Sequence, residues 1–192
     1  MMALILSKNL SATLLVLTSF HSFNRLPPYF YYARAAFKLY MLCGCLLIFD
    51  GVRRSSFSVE AVQILWNWSC CLGLPLISAD LCLFPAILPD LTPLHLGIPM
   101  YTLIVDHFSP STVDGHLLSV SQTISICITA LLATSGTDLF LRFAFAVVSC
   151  MTVHRLSPYG NSDPSYMETW CFVMSVGNLF ALQLLKRFRW RD

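Results

Sequence analysis

Long apolar runs separated by short polar or proline-bearing breaks make up most of this chain. The first run, Leu10 to Phe20, follows a mixed start in which Lys8 interrupts the apolar positions. No small-residue cleavage site follows it, so a retained signal anchor or first span is expected rather than a removed leader. His21 to Pro28 is a break, because the Pro27–Pro28 pair cannot continue a helix. Tyr29 to Tyr32 then forms an aromatic cluster suited to a membrane interface. The next run, Leu39 to Phe49, becomes nearly a full span when counted back to Ala33, and Arg34 and Lys38 lie close enough to its start to snorkel. Asp50 to Ser56 is a polar connection, and Ala61 to Ile77 is a third apolar stretch carrying Trp66, Asn67, Trp68, Gly73 and Pro75.

Residues 79–110 break the pattern. Pro85, Pro89, Pro93, Pro99 and Pro110 punctuate a stretch that is otherwise apolar. Such spacing is incompatible with one regular helix, so short re-entrant or interfacial pieces are expected, with a brief helix near Met100 to Val105. The second half is cleaner. Leu117 to Thr134 has no charge, Ser135 to Thr137 makes a turn, and Leu139 to Val153 forms the next helix. A polar loop from Arg155 to Met167 precedes a last helix from Thr169 to Leu185, and Lys186, Arg187, Arg189 and Arg191 close the chain.

The pattern therefore predicts an all-α, polytopic integral membrane protein of about five to six transmembrane helices, forming a single domain over residues 1–192. Within it, 1–78 holds the less regular spans, 79–116 the proline-rich segment and 117–192 a three-helix segment with a basic tail. Composition strengthens this expectation. Apolar residues make up 56% of the 192 and charged residues only 11%, against roughly 25% charged in an average soluble domain. The mean hydropathy of +0.68 agrees. The positive-inside rule places the terminal basic cluster, and Arg53 with Arg54, on the cytoplasmic side.

Charge excludes some functions. A net charge of +2 with no basic stripe gives nucleic acid nothing to bind. The partners expected are the lipid bilayer and a lipophilic small molecule. The eight cysteines include no C-x-x-C pair, and no Cys/His spacing resembles a zinc site, so no metal is expected. Inside apolar runs, these cysteines read as small packed side chains. There is no glycine-rich phosphate loop, nucleophile elbow or dinucleotide fingerprint.

A few polar residues remain as candidates for chemistry. Asp106, His107, Asp114 and His116 fall within eleven residues between two apolar runs, as a solvated loop or a proton-sharing cluster. His154 ends a helix beside Arg155, where a cation also complements the helix dipole. Asp80 and Asp90 are either intramembrane carboxylates or wet residues at proline turns, and proline favours the wet alternative. Asn67 is placed to bond to a neighbouring helix if it lies within a span, with Trp66 and Trp68 as belt residues if it does not.

From Leu117 to Trp190 the order is a helix ending in ATSGT, a second helix opening LFLRFAF, the loop SPYGNSDPSY, a third helix and the tail KRFRW. This order resembles the amino-terminal membrane region of fungal wax-synthase-like O-acyltransferases, which acylate or acetylate terpenoid and other natural-product alcohols. The resemblance implies transfer of an acyl or acetyl group from acyl-CoA, as co-substrate and with no bound cofactor, to an alcohol in the endoplasmic reticulum membrane. The family's catalytic histidine lies beyond the matched region, so a shortened member is implied and no catalytic residue carries over. The family's Gly-Trp-Asn-Trp-like element lies downstream of its matched helices. Here Trp66-Asn67-Trp68 lies upstream and lacks the glycine. Within this chain, His116 and His154 are the candidates for the catalytic base. A small membrane terpene cyclase using Asp80 and Asp90, and a non-catalytic helper or small transporter, are the competing expectations.

Overall fold

A computed structural model describes residues 2–52, 56–83, 92–108, 139–155 and 164–188. Among these residues there are six helices and no strand. They are α1 (Met2–Arg25), α2 (Tyr31–Val52), α3 (Ser56–Leu83), α4 (Thr92–Phe108), α5 (Leu139–Arg155) and α6 (Pro164–Phe188). Three of them contain segments long and apolar enough to cross a membrane: Tyr31–Val52, Val59–Leu83 and Tyr166–Arg187. The expected span at Leu117 to Thr134 lies outside the described residues.

Several boundaries differ from the sequence expectation, each for a physical reason. α1 continues through His21 to Arg25, and only the Pro27–Pro28 pair stops it. The turn that follows is closed by the Phe30 N–H donating to the Pro27 carbonyl at 3.3 Å. α3 runs unbroken from Ser56 to Leu83, through Pro75 and past residue 79. α4 is a regular helix of 17 residues that contains Pro99. The brief helix expected near Met100 to Val105 is thus longer, starting at Thr92 and ending at Phe108. Pro93 falls in the first turn of α4, where a missing N–H costs nothing. Internal prolines are tolerated where neighbouring helices pack around them. Pro85, Pro89 and Asp90 lie outside the described residues.

Four helices form the centre, and polar contacts give their directions. Lys8 on α1 bonds to Asp50 on α2 at 3.1 Å, so these helices run antiparallel. The Ala33 N–H on α2 reaches Asp80 on α3 at 2.7 Å, so α2 and α3 are also antiparallel. Ser7 donates to Glu168 at 2.8 Å, and Asn178 donates to Ser19 at 2.9 Å, which makes α1 and α6 parallel. α1, α3 and α6 thus point one way and α2 the other. Val52 lies at the same end as Glu168, and Lys186 and Arg187 lie at the opposite end. Arg53 and Arg54, expected on the same side as the terminal basic cluster, lie outside the described residues.

Tight packing holds the centre together. Small residues Ser11, Ala12, Ser19 and Ser22 are buried on α1. A side chain added at Gly44 on α2 would meet Val16 Cγ2 at 2.7 Å and the Ala12 carbonyl at 3.0 Å. Small faces of this kind let backbones approach where lipid supplies no hydrophobic driving force between helices. Trp170 on α6 is buried and packs against Trp66 of α3, the rings tilted by 60° with centroids 4.6 Å apart, with Tyr40 of α2 edge-on at 5.8 Å. Trp66 is therefore a core residue, not a belt residue, while Trp68 is exposed. Asn67 accepts from Gln63 of its own helix at 3.2 Å, so among the described residues its bond lies within α3 and not to a neighbouring helix.

The Lys8–Asp50 pair leaves 22% of Lys8 and 10% of Asp50 exposed. Replacing either residue with alanine is expected to lower stability by about 1–2 kcal/mol. That is less than the roughly 3–5 kcal/mol of a fully buried pair, because both side chains stay partly exposed. Replacing both with apolar residues is expected to cost less than the two single losses added together. Thermal unfolding in detergent micelles measures all three.

Candidate functional site

The seam between α3 and α4 gathers polar side chains into an apolar setting. Ser78 and Cys82 are four residues apart on α3 and so share a helix face. Thr92 and His95 are three apart on α4 and do the same. All four are buried. Cys82 Sγ and His95 Nε2 meet at 3.4 Å, within hydrogen-bonding distance for sulfur. Burial pushes the His95 imidazole below its ordinary value, which keeps it neutral and able to take a proton. The Ser78 and Thr92 hydroxyl oxygens have no hydrogen-bond partner among the described residues. Below this layer the seam is apolar, with Cys71 and Leu72 of α3 packed against Leu103 of α4.

Asp80 sits two positions from Cys82 and so points to a different face of α3. It is buried, and its carboxyl accepts the Ala33 N–H, with the Tyr32 backbone bonded to it as well. These are two of the N–H groups that the first turn of α2 cannot satisfy internally. Asp80 thus caps α2 from a neighbouring helix, at the positive end of that helix's dipole. The expectation that a proline turn leaves Asp80 wet is overturned, because α3 carries it past Pro75 into the packed bundle.

The other candidates fall less fully into view. His116 and Asp114 lie outside the described residues. His154 is in the last turn of α5, as expected, but its side chain is outside what is described. Asp106 and His107 belong to the last turn of α4, and their side chains are likewise outside. Among the described residues no group of three His, Cys, Asp or Glu side chains could hold a metal ion.

Of the five histidines, His95 is the one whose described side chain meets a nucleophile. The sequence carried only a faint signal for it. Cys82 and His95 are thirteen residues apart across a proline-bearing connection, a spacing that matches no motif. The paired spacings Ser78/Cys82 and Thr92/His95 become a signal only once two facing helices are assumed.

No protein-family model matches this chain, and neither does any curated protein or solved structure.

Proposed function

We propose that this chain is a multi-pass membrane protein that transfers an acyl or acetyl group from acyl-CoA to a lipophilic alcohol, with His95 as the base. The observation that carries the proposal is the Cys82–His95 contact of 3.4 Å, buried near the ends of α3 and α4. A neutral imidazole in an apolar seam is suited to take the proton of an attacking hydroxyl, a contribution worth roughly 10²–10⁴ in rate. A thiol at the same place offers a second acceptor for the acyl group, activated by the same base. The order of helices and loops from Leu117 to Trp190, which resembles the wax-synthase-like acyltransferases, supports the substrate class. Residence in the endoplasmic reticulum membrane, with the C-terminus cytoplasmic, goes with it.

A second reading is a non-catalytic membrane helper. It is favoured by how the polar groups of the central helices are used. Lys8–Asp50, Ser7–Glu168, Ser19–Asn178 and Ala33–Asp80 each tie one helix to another. A small terpene cyclase would need Asp80 and Asp90 to face one cavity, and the Asp80 carboxyl is occupied by the backbone of α2.

The test is transfer from labelled acetyl-CoA and longer acyl-CoA to a panel of terpenoid alcohols, by the full chain in microsomes. Wild type is compared with His95→Ala, Cys82→Ala, His116→Ala and His154→Ala. Loss of about 100-fold or more in His95→Ala, with His116→Ala and His154→Ala active, is the expected result. Loss confined to His116→Ala or His154→Ala would move the base to that residue. No transfer by protein shown to be inserted and folded would remove the acyltransferase proposal and leave the helper.

A further inference from the structure

The five cations Arg25, Arg34, Lys38, Lys186 and Arg187 are scattered through the sequence, yet the helix directions bring them to one end of the bundle. Arg25 closes α1, Arg34 and Lys38 lie in the first turns of α2, and Lys186 and Arg187 close α6. Because α1 and α6 are parallel and α2 antiparallel to both, these positions coincide. Arg25, Lys38 and Arg187 are exposed. Arg34 is already engaged, donating to the Leu26 carbonyl at 2.8 Å and covering the Phe23 ring at 4.1 Å.

Among the described residues the acidic side chains are segregated from these cations. The described acidic side chains are Asp50, Glu60, Asp80 and Glu168. Asp50, Glu60 and Glu168 lie at the opposite end, and Asp80 is buried against the backbone of α2. Tyr29 and Tyr31, 39% and 74% exposed, sit beside the cations. Exposed tyrosines next to Lys and Arg at helix ends match the level of lipid headgroups.

We propose that this end is a binding surface for anionic phospholipid headgroups, rimmed by Arg25, Lys38, Lys186 and Arg187. The proposal rests on the membrane reading but not on acyl transfer. Anionic lipid is concentrated in the cytoplasmic leaflet, so the same surface would hold the C-terminal end of α6 on that side. Arg34 is a positioning residue here, fixing the turn between α1 and α2 that presents Arg25 and the tyrosines.

The test uses the full chain, purified in mild detergent and titrated with short-chain dioctanoyl phosphatidylserine and dioctanoyl phosphatidylcholine. Native mass spectrometry reads the lipid retained. Wild type is expected to prefer the serine lipid. Arg25→Gln with Lys38→Gln is expected to reduce that preference about fivefold per cation removed. Arg53→Gln with Arg54→Gln, an equal charge change beyond Val52, is expected to leave it intact. Addition of 0.5 M potassium chloride should erase the preference, since the Debye length shrinks to a few ångströms. Equal effects of the two double variants, or no preference in wild type, would overturn the proposal. Displacement by inorganic phosphate at matched concentration would also overturn it, showing a free-anion site in place of a lipid surface. Intact helical circular dichroism of each variant separates these outcomes from loss of fold.

Discussion

Gly73→Ala is expected to destabilise the bundle by about 2–3 kcal/mol, a large loss for the addition of one methyl group. An added Cβ at Gly73 would fall directly on the Tyr40 hydroxyl and ring. Tyr40 is fully buried, and its ring is flanked by Trp170 at 5.8 Å, so it has little room to retreat. Interiors packed to crystal-like density relieve such an overlap only by shifting side chains off their rotamers or moving backbone. The check is a double-mutant cycle read by thermal unfolding in nanodiscs. Tyr40→Leu should be destabilising alone, because it opens a cavity. Combined with Gly73→Ala it should recover part of the loss, because the Cβ then has space. Strict additivity of the two would show that the glycine is not there to admit the ring.

Asp80→Ala is expected to cost about 1–3 kcal/mol through a different mechanism, an orphaned donor. The Ala33 N–H is buried and its partner is Asp80. In an apolar setting no water replaces a lost acceptor, so the desolvation cost of that N–H is left unrepaid. Asp80→Asn keeps a side-chain oxygen in place and should lose distinctly less. Hydrogen exchange gives the local signature: amides at the start of α2 should lose protection in Asp80→Ala while those of α6 do not. Uniform loss of protection across the bundle would mean that Asp80 holds more than the end of α2. The two losses also differ in kind, since one comes from a helix that cannot approach and the other from a helix end that frays.

Much of the architecture is legible without coordinates. Apolar runs of near-membrane length read as helices because every backbone polar group must be satisfied within the segment when water is absent. The runs at Leu39–Phe49, Leu139–Val153 and Thr169–Leu185 each fall inside a helix of the structure. Pro27–Pro28 ends a helix, as a pair must, and Pro75 sits inside α3 within the expected Ala61–Ile77 stretch, while Pro99, expected to precede a brief helix, sits inside α4. Local propensity cannot say whether neighbouring helices will support a broken hydrogen-bond ladder, since that support comes from residues distant in sequence.

The polar residues show the same division. Sequence established which side chains carry charge or chemistry, and that apolar surface far outweighs them. It could not say which ones meet, because contact between Ser7 and Glu168, or between Ser19 and Asn178, spans about 160 positions. It could not place Asp80 against the end of α2, nor Cys82 against His95, because both contacts depend on which helix faces which. The gathering of Arg25, Lys38, Lys186 and Arg187 at one end follows from helix direction alone, and direction is a property of the folded bundle. Composition and periodicity thus determined the helical, lipid-compatible character of this protein. Only the tertiary structure decided the pairing, because close packing selects among helix neighbours by shape and by the satisfaction of a few buried polar groups.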